Sequence, residues 1–163
     1  MRLSESKILS LETLQPLVRN HHKRGQTVVF ANGCFDILHV GHVRYLESSR
    51  ALGDVLIVAI NSDYSTRALK GPGRPVLDEN ARARLVAALR AVDYVILFSE
   101  PSVAQLLETL RPDIHAKGTD YTVETVPERE IANRLGIRIA IAGDPKDHST
   151  HSLLQSLRKA PHA

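Results

Sequence analysis

Five short apolar runs, each followed by a stretch with helical spacing, constrain this chain more than any other feature. Residues 26–31 (QTVVFA), 54–60 (DVLIVAI), 94–98 (YVILF), 114–117 (IHAK) and 137–142 (IRIAIA) read as strands. The first three are apolar at nearly every position rather than at alternate ones, which marks strands covered on both faces. Regular strand–helix alternation then predicts a parallel sheet between two helical layers. Right-handed crossovers make it a doubly wound, Rossmann-like α/β fold of five strands. The 163 residues hold no internal repeat and no linker. They are expected to form one domain, 1–163, with an N-terminal helix over about 11–24 and a core over about 26–159.

The helices have local signals. Thr13 is a candidate cap for a helix from Leu14, with Pro16 in its permissive first turn. Further helices are expected at 41–52, ending at Gly53, and from Asp78 to Ala91. Others are expected at 102–110, stopped by Pro112, at 128–135, stopped by Gly136, and from a Ser149 cap to about Lys159. Residues 70–75 (KGPGRP) are the one Gly/Pro-rich stretch, too short to separate domains, and read as a functional loop.

Composition excludes several classes of function. Lys and Arg number 21 against 18 Asp and Glu, spread without a basic run, and aromatic residues are 4%. Little is available to stack on exposed bases, so no nucleic-acid partner is expected; a modest positive balance suits small anionic ligands. No apolar run approaches the roughly 18 residues of a membrane span, and the N-terminal residues lack a signal-peptide stretch. No membrane partner is expected. The single cysteine, Cys34, excludes an internal disulfide and fits a reducing compartment, so the expected location is cytoplasmic.

Ligands of such sheets bind beyond the carboxyl ends of the strands, which points to segments 32–42, 61–75, 118–121 and 143–151. The first reads Asn32-Gly33-Cys34-Phe35-Asp36-Ile37-Leu38-His39-Val40-Gly41-His42. Neither the dinucleotide pattern G-x-G-x-x-G nor the phosphate loop G-x-x-x-x-G-K-[ST] is present. In their place His-x-Gly-His stands at the mouth of a helix, where unpaired N–H groups and positive potential favour an anion. Gly41 clears the approach to the backbone. His39 and His42 share one helical face and can both donate to phosphate oxygens, stabilising charge that grows during transfer. A metal site is the alternative, but Asp36 is the only nearby further ligand. Cys34 could be a nucleophile; with no paired base evident it reads as a small buried thiol.

The run NGCFDILHVGHVRYLESSRALGD resembles the signature of the HxGH nucleotidyltransferase superfamily, and within it the heptose-1-phosphate adenylyltransferases, in their free-standing form. The resemblance extends from about Ser10 to about Leu157. It is supported by Asn61-Ser62-Asp63, Leu69-Lys70-Gly71, Arg74-Pro75, Arg82, Val92-Asp93-Tyr94-Val95, Lys117-Gly118-x-Asp120-Tyr121 and Ser149-Thr150 in that order.

The resemblance implies transfer of an adenylyl group from ATP to a sugar-1-phosphate, giving ADP-heptose for lipopolysaccharide, with Mg²⁺ accompanying ATP and a homodimeric assembly. It implies that His39 and His42 bind the triphosphate and stabilise the transition state. Lys70 and Arg82 would bind phosphates of the sugar or of leaving pyrophosphate, with Asn61, Asp63 and Arg74 also on the sugar-phosphate side. Asn32, Gly33, Cys34, Phe35, Asp36, Gly41, Lys117, Gly118, Asp120 and Gly143 would line the nucleotide site. Asp36 would fix its loop by bonding backbone N–H groups, and Ser149 and Thr150 would hold the β- and γ-phosphates. Blander readings exist for Lys70 as a solvated charge, Arg82 as a partner of Asp78 or Glu79, and Ser149 as an N-cap. The sequence departs from the family's Lys-Gly-Gly-Asp at Thr119, from its Ser-Thr-Thr at His151, and in the loop at 143–148. Two rivals remain: a cytidylyltransferase acting on glycerol-3-phosphate, and a nucleotide-binding module without catalysis.

Overall fold

The computed structural model describes residues 3–145 and 150–159. Strands β1 (Val28–Gly33), β2 (Val55–Asn61), β3 (Tyr94–Phe98), β4 (Ile114–Lys117) and β5 (Arg138–Ile141) form one sheet in the order β3-β2-β1-β4-β5, every pair parallel. This is the doubly wound α/β fold that the apolar runs predict. β1 is central because its side chains are buried on both faces: Val28 and Phe30 on one, Val29 and Ala31 on the other. The chain winds outward from β1 to β3, then crosses back to lay β4 on the other side of β1. The reversal of winding opens a crevice at the carboxyl ends of β1 and β4, where ligands of open α/β sheets bind.

Helices α1 (Leu11–Lys23), α5 (Ala104–Leu110) and α6 (Arg129–Leu135) cover one face through Leu14, Val18, Leu106, Leu107, Leu110 and Ala132. Helices α2 (Val40–Arg50) and α4 (Glu79–Ala87) cover the other through Leu46, Ala83, Val86 and Ala87. Each leucine or valine among them taken fully from water contributes about 1.5–3 kcal/mol, which holds the two helical layers on the sheet. Short α3 (Asp63–Lys70) follows β2, and α7 (Thr150–Lys159) ends the described chain. No helix among the described residues is long and apolar enough to cross a membrane.

Three aspartates set the strand register in the same way. Thr27 N–H donates to Asp54 Oδ2 at 2.8 Å, Leu56 N–H to Asp93 Oδ2 at 2.8 Å and Val28 N–H to Asp113 Oδ2 at 2.7 Å. Each carboxylate lies just before a strand and satisfies the entry of its neighbour. The β3 edge is covered by the N-terminal segment, where Ile8 bridges to Val95 and Leu9 N–H donates to Val95 O. Covering it removes an exposed pairing edge.

The local signals need correction at several points. Ser10, not Thr13, caps α1, its hydroxyl accepting from Thr13 N–H, so Pro16 falls in the second turn. β1 begins at Val28 rather than residue 26 and continues to Gly33, while α2 stops at Arg50 and α4 at Ala87. The segment 61–75, for which no helix was expected, contains α3. Its buried residues are Ser65 and Thr66, so no apolar periodicity announces it. The cap expected at Ser149 lies outside the described residues.

Candidate active site

At the start of α2 the two histidines cap the helix reciprocally. Gly41 N–H donates to His39 Nδ1 at 3.2 Å, and His39 N–H donates to His42 Nδ1 at 3.4 Å. The rings stack with centroids 3.8 Å apart. A ring nitrogen that accepts carries no proton, so in both rings the hydrogen resides on Nε2. One capping box thus fixes tautomer and orientation together and makes Nε2–H the donor of each imidazole.

The loop between β1 and α2 is built to hold this pair. Phe35 has φ 49, a left-handed conformation unusual for an aromatic residue, and is buried. Its ring packs on His42, centroids 5.1 Å apart. A Cβ at Gly33 would stand 3.0 Å from that ring, which is why glycine precedes it. Cys34, expected to be buried, is half-buried, with its thiol 3.7 Å from Asn61 Oδ1.

Asp36 does bond backbone N–H groups, but those of a distant loop. Oδ1 accepts from Val76 N–H at 2.7 Å and Leu77 N–H at 3.1 Å, and Oδ2 pairs with Arg74 Nε at 2.5 Å. Asp36 is buried, and through it the 74–77 loop is fastened beside the histidines. Arg74 spends only Nε on this contact; among the described residues its Nη groups have no protein partner.

Arg82 departs most from expectation. It is 0% exposed. Nε donates to Leu77 O at 3.0 Å, Nη1 to Cys34 O at 2.6 Å and Asn61 O at 2.8 Å, and Nη2 to Asp63 Oδ1 at 2.8 Å. Its partner is Asp63, neither Asp78 nor Glu79. A guanidinium committed to three carbonyls and a carboxylate is a clamp between the 34–36, 61–63 and 74–77 segments rather than an exposed phosphate ligand. Asn61 and Asp63 are drawn inward with it: Asn61 Nδ2 donates to Ser65 Oγ at 3.2 Å, and Asp63 N–H donates to Glu79 Oε2 at 2.7 Å. Lys70 stands apart, exposed on the last turn of α3, which Gly71 ends at φ 91.

On the β4 side, Lys117 is buried, not projecting into the crevice. Its Nζ lies 3.5 Å from Glu128 Oε2, 3.4 Å from Asn32 Oδ1 and 4.7 Å from the centroid of the Tyr121 ring. Thr119, where the family pattern has glycine, donates from Oγ1 to Asp144 O at 2.9 Å and ties the loop after β4 to the loop after β5. Asp144 is also 3.8 Å from Arg44 of α2. Gly143, at φ 91, allows that loop close to α2, since a Cβ there would lie 3.3 Å from Tyr45 Cα. Tyr45 donates its hydroxyl to Ala116 O at 2.8 Å, and burial pushes its pKa far up, so it stays a neutral donor. His151 is exposed and shares a hydrogen bond with Gln155 one turn on. Ser149 lies outside the described residues; Thr150 opens α7, and Gly118 and Asp120 lie in the loop after β4.

The structure therefore brings Asn32, Gly33, His39, Gly41, His42, Arg74, Lys117 and the 118–121 and 143–145 loops to one end of the sheet. It turns Asp36, Arg82, Asn61 and Asp63 into the scaffold behind them. His115 was missed by sequence reasoning. Its signal was the alternation in Ile-His-Ala-Lys, which puts two polar side chains on one face of β4. Among the described residues no group of three or more His, Cys, Asp or Glu could cage a metal ion.

Comparison with known proteins shows the family of the chain. The cytidylyltransferase-like family matches residues 30–153, from within β1 into α7. The chain is 46% identical over 153 residues to the bifunctional protein HldE of Syntrophotalea carbinolica, covering 94% of this chain and 31% of that protein. It is 44% identical over 158 residues to the bifunctional protein HldE of Azotobacter vinelandii, covering 97% and 33%. The chain thus spans about a third of the length of these relatives. The crystal structure of a lipopolysaccharide core biosynthesis protein from Thermoplasma volcanium superposes with a TM-score of 0.64 at 32% identity, over 75% of this chain and all of that one.

Proposed function

The chain belongs to the cytidylyltransferase-like family of nucleotidyltransferases, and from that premise we propose that it joins the adenylyl group of ATP to heptose-1-phosphate, releasing pyrophosphate and forming ADP-heptose. The observation that carries the transfer chemistry is the reciprocal cap of His39 and His42, which presents two Nε2–H donors at the N-terminus of α2. The choice of sugar rests on the resemblance of the 32–54 and 117–121 segments to heptose-1-phosphate adenylyltransferases and on the relatives named HldE.

In this reading an oxygen of the sugar phosphate attacks the α-phosphorus in line. The new P–O bond forms as the bond to the β-phosphate oxygen breaks, and pyrophosphate leaves with the electron pair. The nucleophile is ionised at neutral pH, so no strong base is required and no covalent enzyme intermediate forms. The protein supplies alignment and charge stabilisation. The imidazole donors and the α2 N-terminus receive the developing phosphate charge; Arg74 Nη and Lys70 meet the sugar phosphate or the leaving group. Mg²⁺ would accompany ATP as part of the substrate and would offset phosphate charge there. The enzyme works as a homo-oligomer, a dimer, in the cytoplasm.

The test is a matrix of ATP or CTP with heptose-1-phosphate or glycerol-3-phosphate, read as pyrophosphate release and kcat/KM. ATP with heptose-1-phosphate is expected to dominate. The backbone beyond β5, at Ala142-Gly143, would offer its polar groups to the edge of the base. Backbone groups that pair with one base edge are orphaned by another, a strong source of discrimination. A clear CTP preference would replace this reading with the cytidylyltransferase one, and binding without turnover would replace it with the non-catalytic module.

Lys70→Ala is expected to lower kcat/KM roughly 10–100-fold, the scale of one lost charged hydrogen bond. Stability should change by less than about 0.5 kcal/mol, because the side chain is exposed. Unchanged kinetics at saturating and limiting sugar phosphate would reduce Lys70 to a surface charge.

A further inference from the structure

At the crevice between β1 and β4, a buried histidine outside the reaction scheme contacts Asn32, the last side chain of β1. Asn32 Oδ1 lies 3.1 Å from His115 Nε2 and 3.4 Å from Lys117 Nζ. An ammonium group only donates, so the amide oxygen of Asn32 must be the atom that faces it. The NH₂ group is turned the other way and makes no hydrogen bond among the described residues. His115 Nε2 must then carry the proton it donates to the same oxygen. Its Nδ1 is left as an acceptor, and it finds no partner among the described residues although His115 is fully buried.

An orphaned buried acceptor is destabilising. The ring stands edge-on to Phe30, centroids 5.6 Å apart, on the face where β1 presents Val28 and Phe30. A leucine would suit those neighbours better. Burial, with the Lys117 charge beside it, pushes the imidazole pKa down to about 3, so the ring brings one N–H and no charge. A polar group kept in an apolar layer at the expense of stability calls for a use, and its single bond is to Asn32.

We propose that His115 is a positioning residue for nucleotide binding: with Lys117 it locks the Asn32 amide so that the NH₂ group faces the crevice and donates to an oxygen of the nucleotide. Lys117 alone holds the amide loosely, because its ammonium is shared with Glu128 and the Tyr121 ring. Without His115 the amide turns over part of the time and presents an oxygen to an anionic ligand. The inference rests on the nucleotidyltransferase reading and adds the group that orients one of its contacts.

The test compares His115→Leu with His115→Gln, whose amide nitrogen takes the place of Nε2. Calorimetric titration gives Kd for the ATP and CTP complexes of Mg²⁺, thermal denaturation gives Tm, and steady-state kinetics gives KM for the sugar phosphate. His115→Leu is expected to weaken the nucleotide that wild-type protein binds by roughly tenfold, the loss of about one hydrogen bond. Its Tm should be unchanged or higher and its sugar-phosphate KM unmoved. His115→Gln should stay within roughly twofold of wild type. Asn32→Asp, which puts an oxygen where the NH₂ stood, should lose at least as much as His115→Leu. The ¹⁵N-labelled side-chain amide of Asn32 should shift on nucleotide addition. Wild-type affinity in His115→Leu, or equal losses in Leu and Gln with a lowered Tm, would overturn the inference and leave His115 a packing residue. Nucleotide binding without transfer to heptose-1-phosphate would sink the proposed reaction only, with His115 still judged by Kd. Wild-type protein that binds neither nucleotide would overturn both.

Discussion

His42→Asn is expected to lose roughly 10²–10³ in kcat, about 2.7–4 kcal/mol of transition-state stabilisation, with a native Tm. Asparagine is chosen over alanine because His42 has two jobs. Its Nδ1 accepts the His39 N–H and closes the cap; its Nε2–H is the proposed donor to phosphate. An asparagine oxygen sits where Nδ1 sat and nothing occupies the place of Nε2, so the cap survives and the donor does not. His42→Ala removes both and should add a stability loss of about 0.5–2 kcal/mol, the usual cost of a lost cap. Turnover kinetics and thermal denaturation of the two variants together separate the roles. Near-normal kcat in His42→Asn would remove the imidazole from the chemistry and leave the α2 N-terminus alone to meet the charge. His39→Asn should behave like His42→Asn, since asparagine is among the best N-cap residues.

The second large effect is on stability. Arg82→Met is expected to cost about 3–5 kcal/mol, the range for breaking a buried ion pair from one side. At this chain length that is a Tm loss of roughly 6–20 °C. Methionine fills much of the volume, so the cost is not mainly a cavity. It comes from the carbonyls of Leu77, Cys34 and Asn61 losing their donor, and from Asp63 losing its counter-charge. Asp63 is 35% exposed and recovers part of that loss from water. Arg82→Lys should rescue little, because one ammonium cannot reproduce a planar fork aimed at four oxygens. Denaturant and thermal unfolding give the result. Lost turnover at native stability would return Arg82 to the phosphate-binding role its place in the family pattern implied. Lost stability with turnover falling alongside it marks the clamp.

The histidines and Arg82 show where sequence reasoning reached and where it stopped. The placement of His39 and His42 was legible because it is local: two histidines three residues apart at a helix mouth, with glycine between them and a strand before them. Their mutual capping was not legible, since either ring could have rotated away. Arg82 was legible as a residue, but the network that buries it was not. Its four partners come from segments separated by up to 48 positions, and nothing in the surrounding ENARARLVA states that this face of α4 turns inward. Asp36 was expected to bond backbone N–H groups, and it does, on a loop some 40 residues away. Helix α3 was missed because its inward face is Ser65 and Thr66 while Tyr64 and Leu69 are exposed; hydrophobic periodicity cannot report a helix that buries hydroxyls.

The sequence by itself determined the layer architecture and the end of the sheet that carries the site. Near-continuous apolar strands must be covered on both faces, and strand–helix alternation with right-handed crossovers leaves few ways to do it. Only the tertiary structure decided which polar residues face the crevice and which hold it up. Asn32 and Lys117, Asp36 and Arg74, Arg82 and Asp63 each meet across an interval of many residues. A charged side chain has the same local signature whether it is solvated, ligand-bound or clamped. Its role is set by which carbonyls and carboxylates folding brings within hydrogen-bond reach, and by whether water can still compete for them.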